Sequence, residues 1–389
     1  MTCNAVFIYS EQFKKYRFHA DHPFNQERVN MTKDLLEAEN ALSEKHIIRP
    51  RIASDEEIML VHDKKYVEVV KNASVGLITE QEALPYGLGT EDTPIFPDMH
   101  DASALLVGGT LTAVDEVLNN KTIHALNLGG GLHHGFKNQA SGFCIYNDGA
   151  IAIKYIRDNY NLRVLYVDTD AHHGDGVQDA FYDDPNVCTL SIHETGRYLY
   201  PGTGNTNERG LKTGYGYSFN FPIDAFTEDD SFLAVYDAAL REVAEYFKPD
   251  VIITQNGVDA HYLDPLTHLS STMKTYEQIP LLAHKIAHDY CGGKWIALGG
   301  GGYDIWRVVP RAWSQVWNVM NNNAIFSGDV AHQWIKKYKT TSPVSLPKTW
   351  NDPSGLYKPI PRKKEINEKN EEMLERSLKF TRNKIYFNN

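Results

Sequence analysis

Cysteine is scarce in this chain: among 389 residues only Cys3, Cys144, Cys188 and Cys291 occur, and no two of them make a C-x-x-C pair. Neither a disulfide framework nor a thiolate metal site is indicated, and a reducing compartment is expected. Long hydrophobic runs are missing as well. No stretch reaches the roughly 18 apolar residues of a membrane span. The opening MTCNAVFIYS has neither the basic start nor the apolar run of a secretory leader, so a cytoplasmic location is expected. Positive charge is in deficit, with 39 Lys and Arg against 50 Asp and Glu, a formal net charge of -11. Nonspecific nucleic-acid binding needs clustered cations to neutralise phosphates, which argues against a nucleic-acid partner. Repeats and low-complexity linkers are also absent, and nothing marks a cut into separate domains.

What is present is the balance of a globular chain able to bury a large core, 42% apolar and 23% charged, which excludes disorder as the dominant state. Short apolar runs that end in Gly, Asp or Asn lie at 5–9, 125–128, 164–167, 251–254 and 295–298, and each reads as a buried strand. Helical periodicity fills 98–118, 145–160, 229–247 and 275–290. Ser54 with Glu57 forms a capping box, and helical period continues through 63–72. Alternating strand and helix predict a single-domain α/β fold, with a mostly parallel central sheet and helices on both faces. The composition changes near residue 342, first Pro-rich over 343–361 and then charged over 362–376. We read 1–341 as the main domain and 342–389 as a C-terminal surface appendage without chemistry of its own.

In such sheets ligands gather beyond the carboxyl ends of the strands, and four of these ends carry unusual side chains. The run at 125–128 leads into Gly129-Gly130-Gly131-Leu132-His133-His134-Gly135, where flexible backbone presents two adjacent imidazoles. The run at 164–167 leads into Asp168-Thr169-Asp170-Ala171-His172-His173-Gly174-Asp175-Gly176. In extended backbone, positions 168, 170 and 172 point the same way, a metal-ligand spacing. A hydrogen-bonded polar turn explains one or two such residues; four acidic or imidazole groups at one strand tip are costly to bury unpaired. Asp259, beyond the run at 251–254, could complete a three-ligand site. Beyond 295–298 comes Gly299-Gly300-Gly301-Gly302-Tyr303, a glycine loop with one phenol. Neither glycine run has the G-x-G-x-x-G spacing of a dinucleotide site. Singly these patterns are weak, and at successive strand ends they reinforce one another.

Together, and in this order, the motifs resemble the zinc-dependent histone deacetylase family. Glu91-Asp92-Thr93-Pro94, Ser141-Gly142-Phe143-Cys144, Tyr200-Pro201-Gly202-Thr203-Gly204 and Tyr217-Ser218-Phe219-Asn220 extend the resemblance to class I-like members, over roughly residues 5–320. Within the family, the start YSEQFKKYRFHADHPFNQERV and the tail are most similar to a bacterial branch tied to acetoin use. The resemblance implies an arginase/deacetylase-like fold and hydrolysis of the acetyl amide of acetyl-lysine in proteins. It implies that Asp170, His172 and Asp259 hold the catalytic metal, which leaves positions open for water and substrate. Two carboxylates and one imidazole suit Zn²⁺ and can also hold Fe²⁺. His134 is then the general base and later acid, His133 its electrostatic neighbour, and Asp168 and Asp175 their orienting partners. Tyr303 would donate its phenol proton to the developing oxyanion. Gly142, Phe143 and Tyr200 would line a narrow channel for the lysine stem, and Asp92 would hold substrate N–H groups at the rim. Two structural K⁺ sites are implied: Asp168, Asp170, His172, Ser191 and Ile192 at the first, and Phe181, Asp184, Val187 and Tyr217 at the second. Leu132 stands where the family usually has an aromatic, and Tyr200 where Phe is common; both departures bear on substrate preference. The bacterial branch implies an acetylated metabolic protein, such as an acyl-CoA synthetase, as partner.

Three rivals remain at this point. An acetylpolyamine or small acetylated-amine amidohydrolase would share all the metal chemistry, and only Asp92 in its E-D-x-P context favours a peptide-like substrate. An arginase-type ureohydrolase shares the D-A-H of Asp170-Ala171-His172 but works with a two-metal cluster. A non-enzymatic acetyl-lysine reader would be expected to have lost Tyr303 or a ligand.

Overall fold

The computed structural model describes residues 5–387, so Cys3 and the last two residues of the tail lie outside the described residues. Eight strands form one sheet: β1 (Ala5–Ile8), β2 (Ile47–Ile48), β3 (His124–Asn127), β4 (Val164–Asp168), β5 (Val187–Glu194), β6 (Ser218–Ile223), β7 (Val251–Gln255) and β8 (Trp295–Leu298). Their order is β2-β1-β3-β8-β7-β4-β5-β6, and every neighbouring pair is parallel. Parallel strands need crossovers, and the crossover helices cover both faces. On one side Met99–Leu118 packs against Asp148–Tyr160; on the other, Glu27–Ala38, Val309–Met320, Met273–Cys291 and Asp229–Phe247 pack each on the next. The chain is therefore a single α/β domain, as expected. Among the described residues, no helix is long and apolar enough to cross a membrane.

Each strand expected from an apolar run is present, as are the helices expected from periodicity; the capping box of Ser54 and Glu57 opens the short helix Asp55–Ile58. Strand β7 shows why the runs are continuous rather than alternating. Val251, Ile252 and Ile253 are all fully buried, because helices cover both sides of them.

The segment from 342 onward runs over the outside of this same domain. Trp350 is buried and stacks on Phe326, and the helix Lys363–Phe387 lies along Asp229–Phe247 and β6 with Leu378 fully buried. Asp352 is a buried junction. Its carboxylate meets Arg311 at 2.8 Å and His261 at 2.9 Å, and accepts the Met273 backbone N–H at 2.8 Å. Burial opposes the Asp352 charge, but His261 and Arg311 hold its carboxyl far below the usual range.

Candidate active site

The four motif-bearing strands are neighbours in the sheet, in the order β3-β8-β7-β4. Register aligns their ends. Asn127 pairs with Leu298, Leu298 with Gln255, and Gln255 with Asp168, so one row of residues crosses the sheet where the strands stop. Everything beyond that row converges on one spot, which explains how motifs more than a hundred residues apart in sequence meet.

At its centre the ligand atoms of Asp170, His172 and Asp259 lie within 4.8 Å of one another, and all three residues are buried. The Nδ1 of His172 is 3.1 Å from Asp170 Oδ1 and 3.0 Å from Asp259 Oδ2. Asp170 Oδ2 accepts N–H bonds from the Gln255 side chain at 2.7 Å and from the Gly301 backbone at 2.6 Å; Oδ1 accepts the His172 backbone N–H at 3.0 Å. Asp259 Oδ1 accepts the Ala171 N–H at 2.8 Å. Burial works against the charge of Asp170, but His133 and His172 hold it well below the usual carboxylate range. Burial and the charge of Asp170 push Asp259 up to about 6. Two carboxylates forced together out of water beside one imidazole form a donor set that a divalent cation neutralises, so the residues fit the metal that the sequence implies. The surrounding backbone leaves space only for that cluster: a Cβ on Gly301 would stand 2.1 Å from Asp259 Oδ2 and 2.8 Å from Asp170 Oδ2.

The paired histidines face this cluster with ring centroids 4.0 Å apart. His133 Nδ1 lies 2.7 Å from Asp168 Oδ2, and His134 Nδ1 lies 2.7 Å from Asp175 Oδ1. The two rings differ in basicity. Burial disfavours charge on both, but on His133 the carboxylates of Asp168 and Asp170 outweigh it and raise the ring to about 9. On His134, burial and the neighbouring His133 outweigh Asp175 and lower it to about 4. A neutral imidazole thus sits beside a charged one, the first suited to accepting a proton.

Tyr303 also borders the cluster, its ring 6.5 Å from that of His172 and 5.8 Å, edge-on, from that of Phe143. Its backbone N–H donates to Asp264 at 2.8 Å, and burial with the charges of Asp259 and Asp170 holds its hydroxyl protonated. Phe143 has a positive φ of 69°, and Gly142 before it has φ 48° with His134 atoms 2.4 Å from where a Cβ would be. That close approach needs glycine. Tyr200 stands edge-on to His134 at 5.2 Å, and its hydroxyl is hydrogen-bonded to Ser141. Asp92 is exposed, in a segment held by the His22 ring, which lies 3.3 Å from the Asp92 carbonyl and edge-on to Phe143 at 4.7 Å.

The residues expected around monovalent cations fall into two local groups. Asp168 pairs with Ser191 across β4 and β5, next to Ile192, Asp170 and His172. Around the start of β5, Asp184 donates its N–H to Phe181 O at 3.1 Å, Val187 to Asp184 O at 3.4 Å, and Thr189 to Tyr217 O at 3.0 Å.

Sequence reasoning missed several members of the site. Gln255 orients Asp170, and Tyr166 donates to Asp168 Oδ2 at 3.2 Å. Asp148, buried at a helix start, accepts the N–H groups of Gly131 and Leu132 and the Thr110 hydroxyl. Arg28, far in sequence from the glycine loop it touches, is buried between Phe24 and Trp313 and donates to the Gly302 carbonyl at 2.9 Å. The signal for Gln255 was its place as the last residue of a strand; Arg28 gave none. His173, by contrast, turns away from the cluster towards Thr203 at 2.8 Å.

Comparison with known proteins gives one consistent picture. The profile of the histone deacetylase domain matches residues 22–320. The chain is 61% identical to the acetoin utilization protein AcuC of Bacillus subtilis (strain 168), covering 96% of this chain and 97% of that one. It is 50% identical to the AcuC of Staphylococcus aureus (strain MRSA252), covering 95% of each. Among solved structures it superposes on a histone deacetylase homologue from Aquifex aeolicus with a TM-score of 0.84, at 29% identity, over 94% of this chain and 99% of that one. A crystal structure of a histone deacetylase homologue complexed with SAHA gives the same TM-score of 0.84 at 30% identity.

Proposed function

The chain belongs to the histone deacetylase family and is a hydrolase of that class, and on this premise we propose that it removes the acetyl group from N-acetyl-lysine in a protein, in the service of acetoin and acetate metabolism. The observation that carries the reading is that the rings of His134 and Tyr303 both flank His172 of the Asp170, His172 and Asp259 cluster, at 6.1 and 6.5 Å. A proton acceptor and a protonated hydroxyl donor thus border one set of metal-binding groups, as attack on an amide carbonyl requires.

Asp170, His172 and Asp259 would hold a Zn²⁺ or Fe²⁺ ion, which when bound would supply Lewis acidity to polarise the acetyl carbonyl and make a water easier to deprotonate. The chain's own groups do the rest. With its Nδ1 engaged by Asp175, His134 takes the water proton through Nε2 and later returns a proton to the lysine amine. His133, kept charged by Asp168, steadies the negative charge that builds in the site. The Tyr303 hydroxyl donates to the oxygen on which that charge forms. Phe143 and Tyr200 grip the four methylenes of the lysine stem, and the Asp92 carboxylate accepts N–H bonds from the substrate backbone. Backbone carbonyls near Asp168 and Asp184 would hold K⁺.

Relatives that carry the name AcuC support the metabolic setting, with an acetylated acyl-CoA synthetase as the proposed partner. The free, buried thiols of Cys144, Cys188 and Cys291 are consistent with work in the cytoplasm. The alternative, an acetylpolyamine amidohydrolase, shares every group except Asp92. The test is a direct competition between an acetyl-lysine peptide and acetylated polyamines. Higher kcat/KM for the peptide, with a KM that rises in Asp92→Ala, supports the reading; preference for the polyamine overturns the substrate assignment.

A further inference from the structure

Among the described residues, two groups of three side chains have metal-binding geometry: the cluster above, and His124, His284 and His288, whose ligand atoms also lie within 4.8 Å of one another. The second group has no part in the proposed chemistry. His124 is the first residue of β3, and the catalytic histidines follow its last, so the two groups lie off opposite ends of the strand. His284 and His288 stand four residues apart on the helix Met273–Cys291, which packs over β7 and β8, and therefore share one face.

The three rings gather around His284. His284 Nε2 is 3.1 Å from His124 Nε2 and 3.1 Å from His288 Nε2, with ring centroids 4.5 to 5.4 Å apart. Zn–N bonds of roughly 2.0–2.1 Å at tetrahedral angles separate neighbouring donors by about 3.3 Å. Hydrogen bonding alone accounts for this poorly. A proton on His284 Nε2 points along one line and matches one neighbouring lone pair, and the other imidazole is left facing it without a partner. A cation at the centre satisfies all three lone pairs at once. Burial and the nearby imidazoles keep His124 and His284 in the neutral form that binds metals.

We propose that His124, His284 and His288 form a second metal site, for a borderline divalent transition ion such as Zn²⁺, at the amino-terminal ends of the strands, opposite the ends that carry the catalytic cluster. Three nitrogen donors suit such an ion and are poor ligands for Mg²⁺ or Ca²⁺. Burial is graded, with His124 buried, His284 intermediate and His288 exposed, so the fourth position opens towards solvent on the His288 side. The ion ties the helix to the first residue of β3. It acts on the stability of that end of the sheet, since a ligand bound to the folded chain alone shifts the folding equilibrium.

The test uses the full-length chain carrying Asp170→Asn and Asp259→Asn, which disables the catalytic cluster. It is titrated with Co²⁺ and followed by visible absorption, and separately dialysed against Zn²⁺ and its metal content measured by mass spectrometry. The expected result is about one equivalent of metal, with the visible bands of low-coordinate Co²⁺. Adding His284→Ala and His288→Ala should remove both the bands and the bound Zn²⁺, and should abolish the Zn²⁺-induced rise in melting temperature. In the otherwise unaltered chain, His288→Ala should lose the second equivalent while amide hydrolysis is unchanged. The proposal is overturned if the cluster-disabled chain binds no metal, or if its metal survives loss of both helix histidines. Either result leaves the catalytic reading untouched.

Discussion

His134 Nδ1 lies 2.7 Å from Asp175 Oδ1, which commits that nitrogen to the carboxylate and leaves Nε2 as the only ring atom that can take a proton from water. Asp175→Asn keeps the shape and removes the charge that selects this tautomer. We expect kcat to fall about 10- to 100-fold with metal content unchanged. Loss of metal in this variant would instead make Asp175 a support of the ligand cluster.

Tyr303 offers its hydroxyl to the site while its backbone is anchored separately on Asp264. Tyr303→Phe should therefore fold normally, keep its metal and lose about 100- to 1,000-fold in kcat, the scale of one lost oxyanion donor. Steady-state kinetics with metal analysis decide it, and full activity would remove the phenol from the mechanism.

Gly301→Ala adds a single methyl group that would lie 2.1 Å from Asp259 Oδ2 and 2.8 Å from Asp170 Oδ2. Two ligand carboxylates must move. Metal content and activity should fall together while far-ultraviolet circular dichroism stays the same, and excess Zn²⁺ should restore part of both. A variant that binds metal normally would mean that the loop yields more easily than the packing implies.

Stability should depend on pH through His62. Its Nε2 accepts the Asn147 N–H at 3.0 Å, and Asn147 in turn caps the helix Asp148–Tyr160. Burial lowers its pKa to about 4. The unfolded chain, with a value near ~6.5, takes up the proton first. The stabilising contribution is complete above about pH 6.5 and is lost as pH falls towards 4, by up to about 3 kcal/mol. Urea midpoints measured from pH 7.5 down to 5 should fall, and His62→Gln should fall less steeply. Equal slopes would rule out His62 as the sensor.

The central half of the fold was legible because its strands are apolar throughout and its catalytic groups follow them directly. Strand β5 escaped notice for an identifiable reason. Thr189, Ser191 and His193 alternate along it and are buried, the last two satisfied by Ser191 to His193 at 2.8 Å and His193 to Gly204 O at 3.0 Å. Hydropathy reads such a strand as half exposed, and partners supplied by distant loops are invisible to it. The tail misleads in the same way. Asn370 donates to Thr227 and Ser231, and Ser377 to Asn220 O at 2.9 Å, so much of its seat on the domain is polar. In the site, residues standing on a strand end declared themselves, whereas Arg28 and Asp264 act on the Gly302 and Tyr303 backbone from other parts of the chain, a relation that no local pattern encodes.

Asp352 gives the site an order in time. Its carboxylate grips His261, two residues beyond the ligand Asp259, and neutralises Arg311, which is otherwise a buried charge worth about 3–5 kcal/mol to leave alone. A ribosome releases Asp170, His172 and Asp259 well before it reaches Asp352. A nascent chain interrupted between these points holds all three ligands but lacks the carboxylate that grips His261 and neutralises Arg311, so the cluster is braced only after its own residues are made.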